Sequence, residues 1–165
     1  MSYGRFTAMI ATSTVVMFGL MYLNTYALDH ATFSQTRTWM AVLMGAVMAV
    51  IMMGFMWSMY KDKRLNAALI GASVIVFAVS LWLVRSQETV YDVSYMRAMI
   101  PHHSIAIMTS ERAHIRDPRV RKLADGIIEA QVREIKEMKQ LIAELEAKPV
   151  PDNARDIPPV QPKGK

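Results

Sequence analysis

Thirteen residues, Met96-Arg97-Ala98-Met99-Ile100-Pro101-His102-His103-Ser104-Ile105-Ala106-Ile107-Met108, hold the side chains best suited to chemistry. They bring together two adjacent imidazoles and three thioethers, and three of the chain's four histidines lie in or just beyond them. Imidazole is a donor of intermediate softness, and thioether sulfur selects Cu(I) over harder ions. The chain has no cysteine, which rules out a disulfide framework, a zinc ribbon and thiol catalysis. A copper site without thiols suits an oxidising compartment, where neither donor is lost to disulfide formation. No nucleophile–base arrangement is visible, so an enzyme is not expected.

Such donors need a frame. Asp92 is a fitting N-cap for a helix from about Val93 to Arg116, in which Pro101 removes one backbone hydrogen bond and should kink the chain beside the histidines. Asp117-Pro118 then supplies the cap and first-turn proline of a second helix running to about Ala147. With so short a link, the two helices form an antiparallel hairpin. On the first helix Met96, Met99, Ile100, His103, Ile107, Ser110 and His114 share a face, with His102 to one side and Met108 nearly opposite. The apolar stripe of the second runs through Val120, Leu123, Ala124, Ile127, Ile128, Ile135, Met138, Ile142 and Leu145, yet has Gln131 in its middle and Glu134 at its edge. Folding back at Asp117 sets His103 level with Gln131, Ile100 with Glu134 and Met96 with Met138. The expected ligands are Met96, Met99, His103 and Met138, with His102 close by and Met108 and His114 as additional contacts. Gln131 and Glu134 are expected to orient the histidine from outside the ligand set. Glu111-Arg112-Ala113-His114 has the Glu-x-x-His spacing of di-iron bundles. Glu134, however, lies ~20 Å from His114 along the axis at ~1.5 Å per residue, so the carboxylates do not converge within one hairpin.

The first half of the chain reads as an anchor. Three runs free of Asp, Glu, Lys and Arg, Phe6–Ala27, Trp39–Tyr60 and Leu65–Val84, each hold 20 to 22 residues. At ~1.5 Å per residue these are long enough to cross a ~30 Å hydrocarbon core. The first exceeds a signal-peptide core and is read as a retained anchor. The basic turn Lys61-Asp62-Lys63-Arg64, with Arg5, belongs on the cytoplasmic side by the positive-inside rule. Everything after Val84 is then outside, which in a bacterial inner membrane means the periplasm. Ala41, Gly45 and Ala49 make a small-residue face for close helix approach. Met40, Met44, Met48, Met52 and Met56 share that spacing; they are read as apolar filler, with a Cu(I)-conducting ladder as the rival. The tail from Pro149 has five of the seven prolines and reads as disordered.

The net charge of +5 says little about partners, because from Ser86 onward 13 Lys and Arg face 12 Asp and Glu. Only Tyr91 and Tyr95 follow Arg85 as aromatics, so a nucleic-acid partner is not expected.

Met99-Ile100-Pro101-His102-His103, Ala106-Ile107, Asp117-Pro118 and the run from Ala124 to Met138 resemble the domain of unknown function 305 family. The resemblance covers roughly Tyr95 to Leu145. It implies a ferritin-like helical domain and copper, with silver as a second soft ion, at Met99, His102, His103 and Met138. The expected fold is all-α: three transmembrane helices (1–85) and a helical hairpin (86–148), closed into a four-helix bundle by homodimerisation, before the tail 149–165. The expected function is a membrane-anchored Cu(I)-binding protein that sequesters copper, confers tolerance or hands the ion on, with a copper chaperone or exporter as partner. The competing expectation is a membrane assembly subunit whose hairpin docks a partner without metal.

Overall fold

A computed structural model describes residues 2–151 and 153–160. Five α-helices carry the fold: α1 (Tyr3–Leu20), α2 (Gln35–Phe55), α3 (Lys63–Ser86), α4 (Asp92–Arg112) and α5 (Pro118–Ala147), with single 3-10 turns at Leu28–His30 and Trp57–Met59. No strand occurs among the described residues, and the all-α expectation holds.

The first three helices run up, down and up. Tyr3 Oη donates to the Asp62 carbonyl at 3.0 Å and to Asn66 Oδ1 at 2.8 Å, which sets the start of α1 beside the α2–α3 turn. Phe6, Met53 and Tyr60 form a buried cluster there, with Met52 and Met56 packed on it, so these two thioethers act as filler. Asp62 caps α3 by accepting the Arg64 and Leu65 amides. Of the small-residue face, Ala41 and Gly45 are buried and Ala49 is partly buried; Ala46, off that spacing, is buried too. A methyl group on Gly45 would lie 2.2 Å from Thr14 Oγ1 of α1.

Two helices, α2 and α3, are long and apolar enough to cross a membrane, which corrects the expectation of three. The run from Phe6 does not stay helical to Ala27. α1 stops at Leu20 and takes in Arg5, Thr7, Thr12, Ser13 and Thr14, while residues 21–34 leave the helix to pack on α4.

The α4–α5 hairpin is antiparallel, as the spacing predicts, and α5 begins where expected: Asp117 accepts the Arg119 amide at 2.8 Å, and Pro118 opens the helix. α4 starts one residue earlier than expected, with Ser94 Oγ accepting the Tyr91 amide at 2.8 Å. It runs unbroken through Pro101 but ends at Arg112, not Arg116. Ala113 turns to an extended conformation (φ −67°, ψ 137°), and the chain spends residues 113–117 getting to the α5 cap. Ile100, Ile107 and Ile135 form the hairpin core, backed by Ile128, Met138 and Ile142. Residues 149–151 and 153–160 form no helix; Asp152 and residues 161–165 of the expected tail lie outside the described residues.

Candidate metal centre

The longer connector changes the register of the hairpin. His103 lies nine helical steps, ~13.5 Å, before the end of α4, and residues 113–117, part extended and part turned, carry the chain further before α5 comes back. Sixteen helical steps back along α5 from Pro118, or ~24 Å, then reach Glu134. His103 Nε2 accordingly meets Glu134 Oε2 at 2.8 Å, which corrects the expected pairing with Gln131. Gln131 is partly buried in α5, one turn nearer the connector.

His103 is held at both ends of its ring. Nδ1 lies 3.0 Å from the Met99 carbonyl oxygen, an acceptor only, so Nδ1 carries a hydrogen. Nε2 then faces the Glu134 carboxylate, and both contacts are hydrogen bonds when imidazole and carboxylate share one further proton. The ring is mostly buried (side chain 12 % exposed), whereas Glu134 is 42 % exposed.

Beside this pair an open groove of about 410 Å³ between the two arms is lined by Met96, His103, Glu134 and Met138, with Asp92, Tyr95, Glu137 and Leu141 among its other walls. Met96 from α4 and Met138 from α5 thus share one space with the imidazole, although the corrected register no longer sets these two residues level. Of the other expected ligands, Met99 is partly buried and outside this lining; its carbonyl serves His103. His102 is exposed, its ring 6.1 Å from that of His103. Met108 is partly buried elsewhere on α4. His114 sits in the connector, past the end of α4, so the face it was expected to share with His103 does not reach it.

The same space offers two thioethers and an imidazole beside the carboxylates of Asp92, Glu134 and Glu137. Two thioethers and an imidazole with its far nitrogen fixed by a carbonyl are the ligand types Cu(I) selects. Among the described residues no three His, Asp or Glu side chains converge as a site for a harder ion.

Sequence reasoning missed a second polar cluster on the other flank of α4. Ser104 is fully buried; its Oγ accepts the Tyr26 amide at 2.7 Å and lies 3.0 Å from His30 Nδ1. Thr32 Oγ1 donates to the Arg97 carbonyl at 2.6 Å. Asp29 pairs with Lys139 of α5, which holds its carboxyl below the usual range. Burial lowers the His30 imidazole below its ordinary value. Contacts between residues 65 or more positions apart leave no local spacing signal; Ser104, a hydroxyl between apolar positions of a buried face, was the one hint.

Residues 83–162 match the family described as "Domain of unknown function (DUF305)". The match to the DUF305 family covers just under half of the chain. The DUF305 region thus takes in α4, α5 and the last residues of α3. A curated relative, "Uncharacterized protein L153" of Acanthamoeba polyphaga mimivirus, is 35% identical over 74 residues, which is 44% of this chain and 49% of that protein. The chain therefore spans about half the length of that relative. No solved structure matches the chain.

Proposed function

We propose that this chain is a membrane-anchored Cu(I)-binding protein whose DUF305 hairpin takes up the ion between α4 and α5. Met96, His103 and Met138 lining a single groove is the observation that carries this reading. Met96 and Met138 supply soft sulfur donors. His103 supplies Nε2 once that nitrogen leaves the Glu134 carboxylate it meets at 2.8 Å. His102, exposed beside His103, is placed to receive or pass on the ion, and Ag(I) has the same preference for these donors. The protein then serves sequestration, tolerance or hand-on of copper, with a chaperone or exporter as the exchange partner.

The anchor reading rests on α2 and α3 and on how bare α3 is: Val74, Ile75 (65 % exposed), Val76, Val79 and Trp82 face outward. An aqueous setting makes that surface costly at ~25 cal/mol per Å²; a lipid setting removes the cost. The inner-membrane location and the periplasmic side for the hairpin belong to the same proposal. So does a homodimer that covers Val120, Leu123 (66 % exposed) and Leu141 of α5.

Anaerobic Cu(I) titration of the full chain in detergent against a chromogenic chelator tests the reading. Met96→Leu/Met138→Leu keeps the volume and removes both sulfurs; it is expected to weaken binding at least tenfold, and His103→Ala likewise. Parent-like binding by both variants would leave the second reading, an assembly subunit. One observation favours that reading: both His103 ring nitrogens already have protein partners.

A further inference from the structure

We infer that Pro101 and Ser104 form a docking notch on α4 for the loop of residues 26–32, and that the proline serves to leave a backbone carbonyl open. In an α-helix the amide of residue 101 would bond the carbonyl of residue 97; proline has no N–H to give. An orphaned helix carbonyl needs another donor, and here Thr32 Oγ1 supplies it at 2.6 Å. One turn on, the Ser104 hydroxyl, with one hydrogen and two lone pairs, accepts the Tyr26 amide at 2.7 Å and faces His30 Nδ1 at 3.0 Å. Pro101 itself has almost no exposed surface. The loop lies antiparallel to α4, Tyr26 at Ser104 and Thr32 at Arg97, and the Tyr26 Oη–Glu111 and Asp29–Lys139 contacts brace its flanks.

The run Pro101-His102-His103-Ser104 therefore faces three ways. Pro101 and Ser104, three residues apart and on one side of the helix, hold the anchor loop. His103 turns to α5, and His102 is left to solvent. The notch fixes the rotation of α4 from a flank about 100° round the helix from its metal-site contacts, which makes Thr32 and Ser104 positioning residues for the His103 ring. None of this depends on whether copper binds.

Amide hydrogen exchange at Tyr26 in the full chain in detergent tests the inference, without metal, in four proteins: parent, Thr32→Val, Pro101→Ala and the double variant. Thr32→Val is expected to lower Tyr26 protection about fivefold on the proline background, where it strands a carbonyl. Pro101→Ala returns an N–H to that carbonyl, so the same threonine change on this background should cost less than twofold. Equal losses on both backgrounds, or no loss on either, would overturn the role given to Pro101. Ser104→Ala needs no change at the proline and is expected to raise Tyr26 exchange about tenfold; unchanged protection would overturn the notch by itself.

Discussion

Glu134 is the side chain on which the two readings of His103 divide. As a hydrogen-bond partner it competes with any ion for Nε2, and a bond to a partly exposed carboxylate is worth about 1 kcal/mol. Glu134→Ala is therefore expected to tighten Cu(I) binding about fivefold in the chelator assay; a tenfold loss would mean that the carboxylate is itself a ligand. His30 carries a separate prediction. Burial lowers its affinity for a proton; Asp29 pulls the other way and Lys139 adds to the lowering. Ser104, Tyr26 and the Asp29–Lys139 pair are what the ring meets at the notch. A histidine depressed in the folded state binds fewer protons there than in the unfolded chain. Its contribution to stability is thus complete above the ordinary value of about 6.5 and is lost as pH falls below it. His30→Asn keeps an acceptor near the Nδ1 position and cannot titrate. Between pH 7.5 and 5.5 the parent should lose Tm relative to His30→Asn, and a constant difference in Tm would remove the argument. At this scale the donor types were legible in the residues, but not their aim. Met99 was expected to give its sulfur and gives its carbonyl, because backbone acceptors have no sequence signature.

Asp62, the cap of α3, was not singled out in the sequence, and Asp92, expected to cap α4, is its first residue; the start of α5 was legible because its cap is local, Asp117-Pro118 opening it where expected. The end of α4 was not, since nothing between Arg112 and Arg116 forbids helix, and tertiary packing stops it one turn early. That one turn replaced Gln131 by Glu134 opposite His103. The hairpin was expected to need a second copy to cover its faces; within one chain the loop 26–32, split in the sequence between the first apolar run and the connector after it, covers part of α4. Close approach of α1 and α2 was readable from Ala41 and Gly45, and it gives a prediction about elements. A methyl at residue 45 meets Thr14 Oγ1, which is tied to the Ile10 carbonyl at 2.9 Å. Either the helices separate or the hydroxyl gives up its bond, at about 1–3 kcal/mol for overpacking. Gly45→Ala should lower the detergent-solubilised Tm, and adding Thr14→Ala should restore most of it. If the double variant is no better than the single, the contact is not the cause.

At the scale of the whole molecule, the packing and the composition of α1 point in different directions. Its 18 residues, ~27 Å at ~1.5 Å each, come close to a ~30 Å hydrocarbon core, yet Arg5 and the hydroxyls at 7 and 12–14 leave it less apolar than α2 and α3. The contacts nevertheless lay it along α2, with Tyr3 at the Asp62 turn and its far end continuing into the loop docked on α4. If that packing persists in a membrane, α1 must cross with its neighbours, because α2 separates the Asp62 turn from the notch by ~31 Å at ~1.5 Å per residue. The chain contains no cysteine, so single cysteines report sidedness without background. Ser2→Cys and Lys61→Cys should react alike with an impermeant maleimide added to sealed inverted vesicles, and Glu129→Cys on α5 should react only after the vesicles are opened. Labelling of Ser2→Cys together with Glu129→Cys would show that α1 stays on the hairpin side, which pulls Tyr3 away from Asp62 and Asn66 and dismantles the cluster of Phe6, Met53 and Tyr60. The notch would survive that outcome, since residues 26–32 and α4 lie on the same side either way, whereas the three-helix packing would not.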